Sequence, residues 1–154
     1  MSNFHVQALL TEYRRAVAAC SDMVRDWPLD KMNRSLPASP RATCMVILKE
    51  AIKTSYGNIA WIQKSAALPR MSPPEALAGL GEAGVPVVNS LLRLMGPFAA
   101  ETLRNLTDDQ LSYRPVREYT LEQMLENTIV HMWLTVGRLE KIHTYHASQP
   151  KEAE

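Results

Sequence analysis

The sequence predicts an all-α protein in which four long amphipathic helices form one four-helix bundle. In four segments the apolar residues recur every three or four positions, as one buried helix face requires. Prolines or capping sequences mark the ends of these segments, and the alternation typical of strands is almost absent. The 154 residues suffice for one such domain. We therefore expect the bundle over residues 1–147 and a polar, disordered tail over residues 148–154.

The first two predicted helices have clear boundary signals. The first runs from about residue 3 to Trp27, because Pro28 cannot continue it. The linker that follows has room for one short turn of helix. In the second helix Ser39 is the predicted N-cap and Pro40 the first helical residue, where the missing N–H costs nothing. Its apolar stripe contains Cys44, Ile47, Leu48, Ala51, Ser55, Ile59 and Ile62.

The later helices begin at capping boxes, in which Ser or Thr is followed three positions later by Glu or Gln. The box at residues 72–75 is predicted to open the third helix, which kinks near 84–86 and 96–97 and reaches Leu106. A box at 107–110 predicts a single helical turn. The box at 120–123 opens the fourth helix, which we expect to end near Tyr145.

The connection between the second and third helices is rich in helix breakers, with Pro69, Pro73 and Pro74 followed by three glycines before Pro86. A helix of about 25 residues is about 37 Å long, and the stretch from 65 to 86 is long enough to cover that height. We therefore expect an up-down-down-up topology with a crossover between helices two and three. The simpler up-down-up-down arrangement is the alternative.

The composition argues against several kinds of partner. The net charge is +1 and no run of five basic residues occurs, so the chain lacks the electrostatic footprint of a nucleic-acid-binding protein. No stretch approaches the roughly 18–20 apolar residues of a membrane span, and the first residues do not resemble a signal peptide. The two cysteines are too few for the disulfide framework of a secreted domain. We expect a cytoplasmic protein that binds neither nucleic acid nor membrane.

Motifs of common catalytic sites are absent, including H-E-x-x-H, C-x-x-C and the glycine-rich nucleotide loops. His131 lies at the edge of the apolar stripe of the fourth helix. It is a candidate metal ligand or general base, and the alternative is a partly buried histidine that forms one hydrogen bond. Glu50 is its candidate partner on the second helix, although a solvated charge between Lys49 and Lys53 also explains it. Gly57 lies on the face of Glu50 and indicates a cleft or a close neighbouring helix.

Two cysteines and two histidines are the remaining candidates for chemistry. Cys20 and Cys44 are equidistant from the middle of the first connection, so they lie at similar heights if those two helices are antiparallel neighbours. We favour buried, inert thiols, with a redox pair as the alternative. His143 and His146 lie near the end of the last helix, where we expect capping or surface roles.

The fourth helix resembles a known family. Residues 119–131, with the sequence YTLEQMLENTIVH, are similar to the last helix of the DinB-like family, and residues 47–51, with the sequence ILKEA, are similar to its second helix. The similarity follows the helix order along essentially the whole chain. It implies a four-helix bundle with up-down-down-up connectivity, often a homodimer. Many members hold a divalent metal with one histidine from helix two and two from helix four, and some are thiol-dependent transferases or isomerases.

Only part of the metal site that the resemblance implies is present in this sequence. Glu50 stands at the position of the helix-two histidine. On helix four Asn127 replaces one histidine, His131 is retained, and Thr135 stands where the next would be. Asparagine and threonine are weak ligands for a transition metal. We therefore predict no cofactor, with a divalent metal (Zn, Mn or Ni) bound by these four positions as the alternative.

Two functions of different classes follow from the resemblance. We favour a DinB-like protein with a degenerate metal site, which binds a small molecule or acts as a dimeric bundle protein. The alternative is a metal-dependent thiol transferase or isomerase that uses Glu50 and His131. We also expect a homodimer to which helix one contributes, because Phe4 and Trp27 exceed what a single apolar stripe needs.

Overall fold

A computed structural model describes residues 2–150, and it is built from helices. The α-helices are α1 (Phe4–Val24), α2 (Leu29–Met32), α3 (Cys44–Ser65), α4 (Val85–Thr102) and α5 (Leu121–Ser148), and 3-10 helices span Glu75–Glu82 and Asp108–Ser112. No strand occurs within the described residues, where only isolated bridges join extended backbone. The all-α prediction is therefore confirmed. Among these helices, none combines the length and the hydrophobicity that crossing a bilayer requires.

Contacts between α1 and α5 show that these two helices run in the same direction. Near their starts, His5 Nε2 lies 3.1 Å from Glu122 Oε1. Near their ends, the rings of Trp27 and His143 stack with their centroids 5.7 Å apart. Residue numbers therefore rise together along the pair.

The α3 helix runs against α5 and in the direction of α4. The amide of Asn58 donates to Thr128 Oγ1 at 3.0 Å, whereas Ile47, earlier on α3, borders one small cavity with Ile142, later on α5. Lys49 reaches a backbone carbonyl just before α4, and Tyr56 reaches a carbonyl within it. It follows that α4 is antiparallel to both α1 and α5.

The core lies between these four long helices. Both α1 and α3 pack against α4 and α5, so α1 and α3 face each other across the core rather than standing as adjacent neighbours. The hydroxyls of Tyr13 and Ser55 form a buried hydrogen bond between them. Burial raises the pKa of the Tyr13 phenol well above its ordinary value. This phenol therefore stays protonated and acts as part of the core.

Two predicted boundaries near the N-terminus are wrong. The α1 helix ends at Val24 instead of Trp27, because the residue before a proline disfavours helical backbone. The predicted short turn in the linker is α2. The α3 helix begins at Cys44 instead of Pro40, and its N-cap is Thr43, whose hydroxyl accepts from the Val46 N–H at 3.2 Å.

The predicted third helix is divided in two. The box at 72–75 does not cap a helix. Its last residue begins the separate 3-10 helix Glu75–Glu82, in which Gly79 interrupts the helical backbone. The α4 helix then begins with Gly84 as its N-cap, continues through Pro97 and ends at Thr102, before the predicted Leu106. Consecutive prolines and glycines therefore break the helix where a kink was expected.

The two other capping boxes are confirmed. Thr107 caps the short 3-10 helix Asp108–Ser112, and Thr120 caps α5, with Gln110 and Gln123 bonding back to the cap residues. The α5 helix extends past the expected Tyr145 to Ser148, so it includes the first residue of the predicted tail. Residues 151–154 of that tail lie outside the described residues.

The end of α3 holds one residue in the left-handed region. Ala67 has φ of 54°, and the N–H groups of Ala67 and Leu68 donate to the carbonyls of Lys64 and Gln63. This is the hydrogen-bond pattern of a Schellman motif, in which glycine is preferred because a Cβ is unfavourable there. The motif turns the chain back along α3.

Replacement of Ala67 by glycine should stabilise the protein. The strain of a left-handed alanine outweighs the extra unfolded-state entropy of glycine, so we expect a gain of about 0.5–1 kcal/mol in the free energy of unfolding. Urea denaturation measures it. Ala66→Gly is the matched control, because Ala66 has φ of −87° and its replacement should be destabilising. A loss of stability in Ala67→Gly would contradict the interpretation.

Candidate functional site

A cavity of about 640 Å³ lies beside α3, within the size range of small-molecule sites. We call it the α3 cavity. It is enclosed by α3, by the connection that follows, by the 3-10 helix Glu75–Glu82 and by one residue of α4. Its lining residues are Lys49, Glu50, Lys53, Tyr56, Gly57, Ala60, Met71, Pro73, Leu77, Ala78, Leu80, Gly81 and Phe98.

Small residues on α3 create the space for this cavity. Gly57 and Ala60 are one helical turn apart and both line it. A Cβ added at Gly57 would have no heavy atom within 4 Å. The sequence indicated a cleft or a close neighbouring helix at the face shared by Glu50 and Gly57, and the structure has the cleft.

The floor of the cavity is apolar. Tyr56 donates its hydroxyl to the Leu91 carbonyl at 2.9 Å, and its ring packs against Phe98 with a centroid distance of 5.1 Å. Burial raises the pKa of Tyr56 to about 12. The phenol is therefore neutral at physiological pH, with its proton committed to the backbone of α4. It can shape a ligand site but is not poised as a general base.

The charged groups lie at the rim of the cavity, on α3. Lys49 Nζ donates to the Gly81 carbonyl at 3.0 Å and so ties the 3-10 helix to α3. Glu50 and Lys53 are exposed, and neither forms an ion pair in the part of the chain that the structure describes. Lys53 is therefore a cation with its charge available to a ligand.

Only one of the four predicted metal-site residues lines the α3 cavity. Glu50 is exposed at the rim of the α3 cavity, whereas no residue of α5 lines that cavity. On α5, Asn127 is exposed, Thr135 is buried, and His131 is half-buried. The expected hydrogen bond from His131 is not made by Nε2, which is buried without a partner among the described residues.

These residues do not fit a divalent metal. The hydroxyl of Thr135 donates to the His131 carbonyl at 2.8 Å, so it is committed to the backbone of its own helix. Between α3 and α5, where the resemblance implies the metal, Asn58 and Thr128 form a hydrogen bond instead. Within residues 2–150 no three His, Cys, Asp or Glu side chains are grouped closely enough to hold a metal ion. A single imidazole offers too few strong donors.

The two C-terminal histidines make tertiary contacts. His143 stacks on Trp27, and His146 Nε2 lies 2.8 Å from the Ser35 carbonyl. His143 is exposed, as a surface role requires, and His146 is half-buried. In addition, the two rings fasten the end of α5 to the α1–α2 region.

The sequence did not identify Phe98 or the 3-10 helix as parts of a site. Phe98 was one apolar residue in a helical stripe, and residues 75–82 were part of a predicted long helix. The available signal was that Gly57 and Ala60 share the helix face that carries Glu50 and Lys53.

Comparison with protein-family models, curated proteins and solved structures finds no match to this chain. The resemblance to the DinB-like family stays a prediction.

The two thiols should be inert in the folded protein. Cys20 and Cys44 are free and buried; burial raises the pKa of Cys20 to about 12 and also raises that of Cys44. Because the thiolate is the reactive form, we expect a thiol-disulfide reagent at mildly alkaline pH to modify both at least about 100-fold more slowly than free cysteine. Both should react promptly in guanidinium chloride. Rapid modification of the native protein would contradict the prediction.

Metal analysis should find well under one equivalent of Zn, Mn or Ni in protein purified without a nickel column. The reason is the donor set: threonine and asparagine oxygens are weak ligands, and the hydroxyl of Thr135 is already bonded to the backbone of its own helix. About one equivalent that His131→Ala abolishes would contradict this prediction and favour the enzyme.

Proposed function

We propose that this chain is a DinB-like protein that binds a small molecule, with its long helices arranged as an up-down-down-up four-helix bundle. The shared direction of α1 and α5, and the opposite direction of α3 and α4, support that topology. The crossover is the segment from 66 to 84, which connects α3 to α4. The family assignment rests on the residues of α3 and α5 that resemble the family pattern.

The α3 cavity carries the proposal. It has the volume of a small-molecule site, an apolar floor of Tyr56, Leu80 and Phe98, and charges at the rim only. Burial of apolar ligand surface supplies the free energy of binding, while the rim favours a polar end. Because the rim has two lysines and one carboxylate, with Lys53 unpaired among the described residues, we propose an apolar molecule that ends in a carboxylate.

A metal-dependent thiol transferase or isomerase is the second candidate. The observation in its favour is the buried Nε2 of His131, which lacks a hydrogen-bond partner in the described part of the chain and is available as a ligand or base. It is the weaker candidate because Glu50 borders a cavity to which α5 contributes nothing.

The homodimer is also part of the proposal, with one correction to its interface. Trp27 is only 8% exposed and stacks on His143, so it is not available to a partner, whereas Phe4 is 83% exposed.

We also propose a cytoplasmic location. Two free thiols support it, since reducing compartments keep cysteines unpaired.

Calorimetric titration with decanoate, decanol and decylamine tests the ligand class. We expect decanoate to bind more tightly than decanol by a factor of about 2–5, the size expected for one exposed ion pair, and decylamine to bind least. Lys53→Glu should remove the preference for decanoate. No binding of any of the three, or a preference for decylamine, would contradict the proposal.

Gly57→Leu tests the location of the site. Its side chain extends into the cavity, so we expect binding of decanoate to weaken at least tenfold, or about 1.4 kcal/mol. Leucine is the better helix former, so lost binding would not reflect unfolding. Gly137→Leu is the matched control, because it makes the same change in the middle of α5, away from the cavity. Equal effects of the two variants would contradict the assignment of the cavity.

A further inference from the structure

The outward face of α5 exposes large apolar side chains. Val130, Trp133 and Leu134 are 54%, 39% and 61% exposed. The indole Nε1 of Trp133 donates to Glu12 Oε1 at 3.2 Å, so the ring is held in place on the surface. An apolar patch of fixed geometry is typical of an interaction surface.

The residues around this patch are arranged symmetrically along the helix. Along the helix, the steps that lead from Glu126 to Val130, Trp133, Leu134, Gly137 and Lys141 are four, three, one, three and four residues. This series is the same when it is read from either end. At about 100° per residue the six side chains lie within an arc of about 100°. We call these six residues the α5 seam: Glu126, Val130, Trp133, Leu134, Gly137 and Lys141.

We propose that the α5 seam packs against the α5 seam of a second copy of this chain, antiparallel, about a two-fold axis between Trp133 and Leu134. This proposal rests on the homodimer part of the proposed function, moves the centre of the interface from α1 to α5, and is independent of the ligand. A two-fold axis at that point brings each residue opposite the one at the mirrored position of the sequence. Opposite charges and complementary sizes then meet.

The charges select the antiparallel arrangement. Glu126 faces Lys141 of the partner subunit, and the symmetry repeats the pair, giving two ion pairs at the ends of the seam. Within the described chain neither residue has an ion-pair partner. A parallel arrangement would instead place each charge beside its own copy, and like charges at an interface are unfavourable.

The sizes of the opposed residues are also complementary. Val130 faces Gly137 of the partner subunit, and Trp133 faces Leu134 of the partner subunit. A Cβ added at Gly137 would have no heavy atom of its own chain within 4 Å, so packing within the monomer does not require a glycine there. A glycine on a helix surface permits close approach of another backbone, and a branched side chain from the other copy fills the space.

Sedimentation equilibrium at tens of micromolar tests the seam by charge reversal. We expect the wild-type chain to be a dimer, Glu126→Lys alone and Lys141→Glu alone each to weaken association at least about tenfold, and the double variant to restore it. Glu118→Lys and Lys64→Glu are the controls, because they make the same charge changes at exposed residues away from the seam. A monomeric wild type, or single reversals without effect, would overturn the proposal. Failure of the double variant to recover would overturn the antiparallel register.

Gly137→Leu provides a second test that loss of folding cannot explain. Leucine favours a helix over glycine by roughly 1 kcal/mol, so the variant should keep the helical circular dichroism of the parent while its dimer dissociates. Gly57→Leu, which makes the same change on α3, should leave the dimer intact. Leu134→Cys should form a disulfide-linked dimer on oxidation, since position 134 lies next to the axis, whereas Val46→Cys, also exposed, should not. An unaffected dimer in Gly137→Leu, or equal cross-linking of the two cysteine variants, would overturn the proposal.

Discussion

The parallel course of α3 and α4 is the constraint on which the rest of the structure depends. Two consecutive helices that run in the same direction need a connection that returns along their whole length. A continuous helix there would have to cross the core or extend away from it. The prolines and glycines of residues 66–84 prevent such a helix, and the Schellman motif at Ala67 turns the chain back at the start of the segment.

The α3 cavity is a consequence of that return. Beyond its first residues, the connection is joined to α3 by a short 3-10 helix, which Lys49 fastens by its hydrogen bond to Gly81. A 3-10 helix of this length presents few side chains, and Gly57 and Ala60 on the facing side of α3 contribute little volume. The two surfaces therefore meet at their edges and leave space between them. The charges stay at the rim because Lys49, Glu50 and Lys53 project from the outer border of α3.

The sequence predicted the helix caps that depend on neighbouring residues and missed the features of the site that depend on tertiary contacts. The caps at Thr107 and Thr120 were correct because both halves of each box bond within one turn. Ser39 and the box at 72–75 were wrong, since a capping residue is satisfied in a turn as well as in a helix. For the site, Glu50 and Gly57 were found on one face of α3. That Glu50 would line a cavity to which α5 contributes no residue was not predictable, because apolar spacing leaves the rotation of a helix about its axis uncertain by tens of degrees.

The packing of the monomer does not explain why two helix positions are glycine. A glycine in the middle of a helix costs about 1 kcal/mol relative to alanine. Neither Gly57 in α3 nor Gly137 in α5 has a crowded Cβ position or a left-handed backbone that would require it. Each instead lies beside a feature that the isolated fold leaves unfilled, the α3 cavity in one case and the α5 seam in the other. Small residues that the monomer does not need are consistent with a ligand and a second copy occupying those two places.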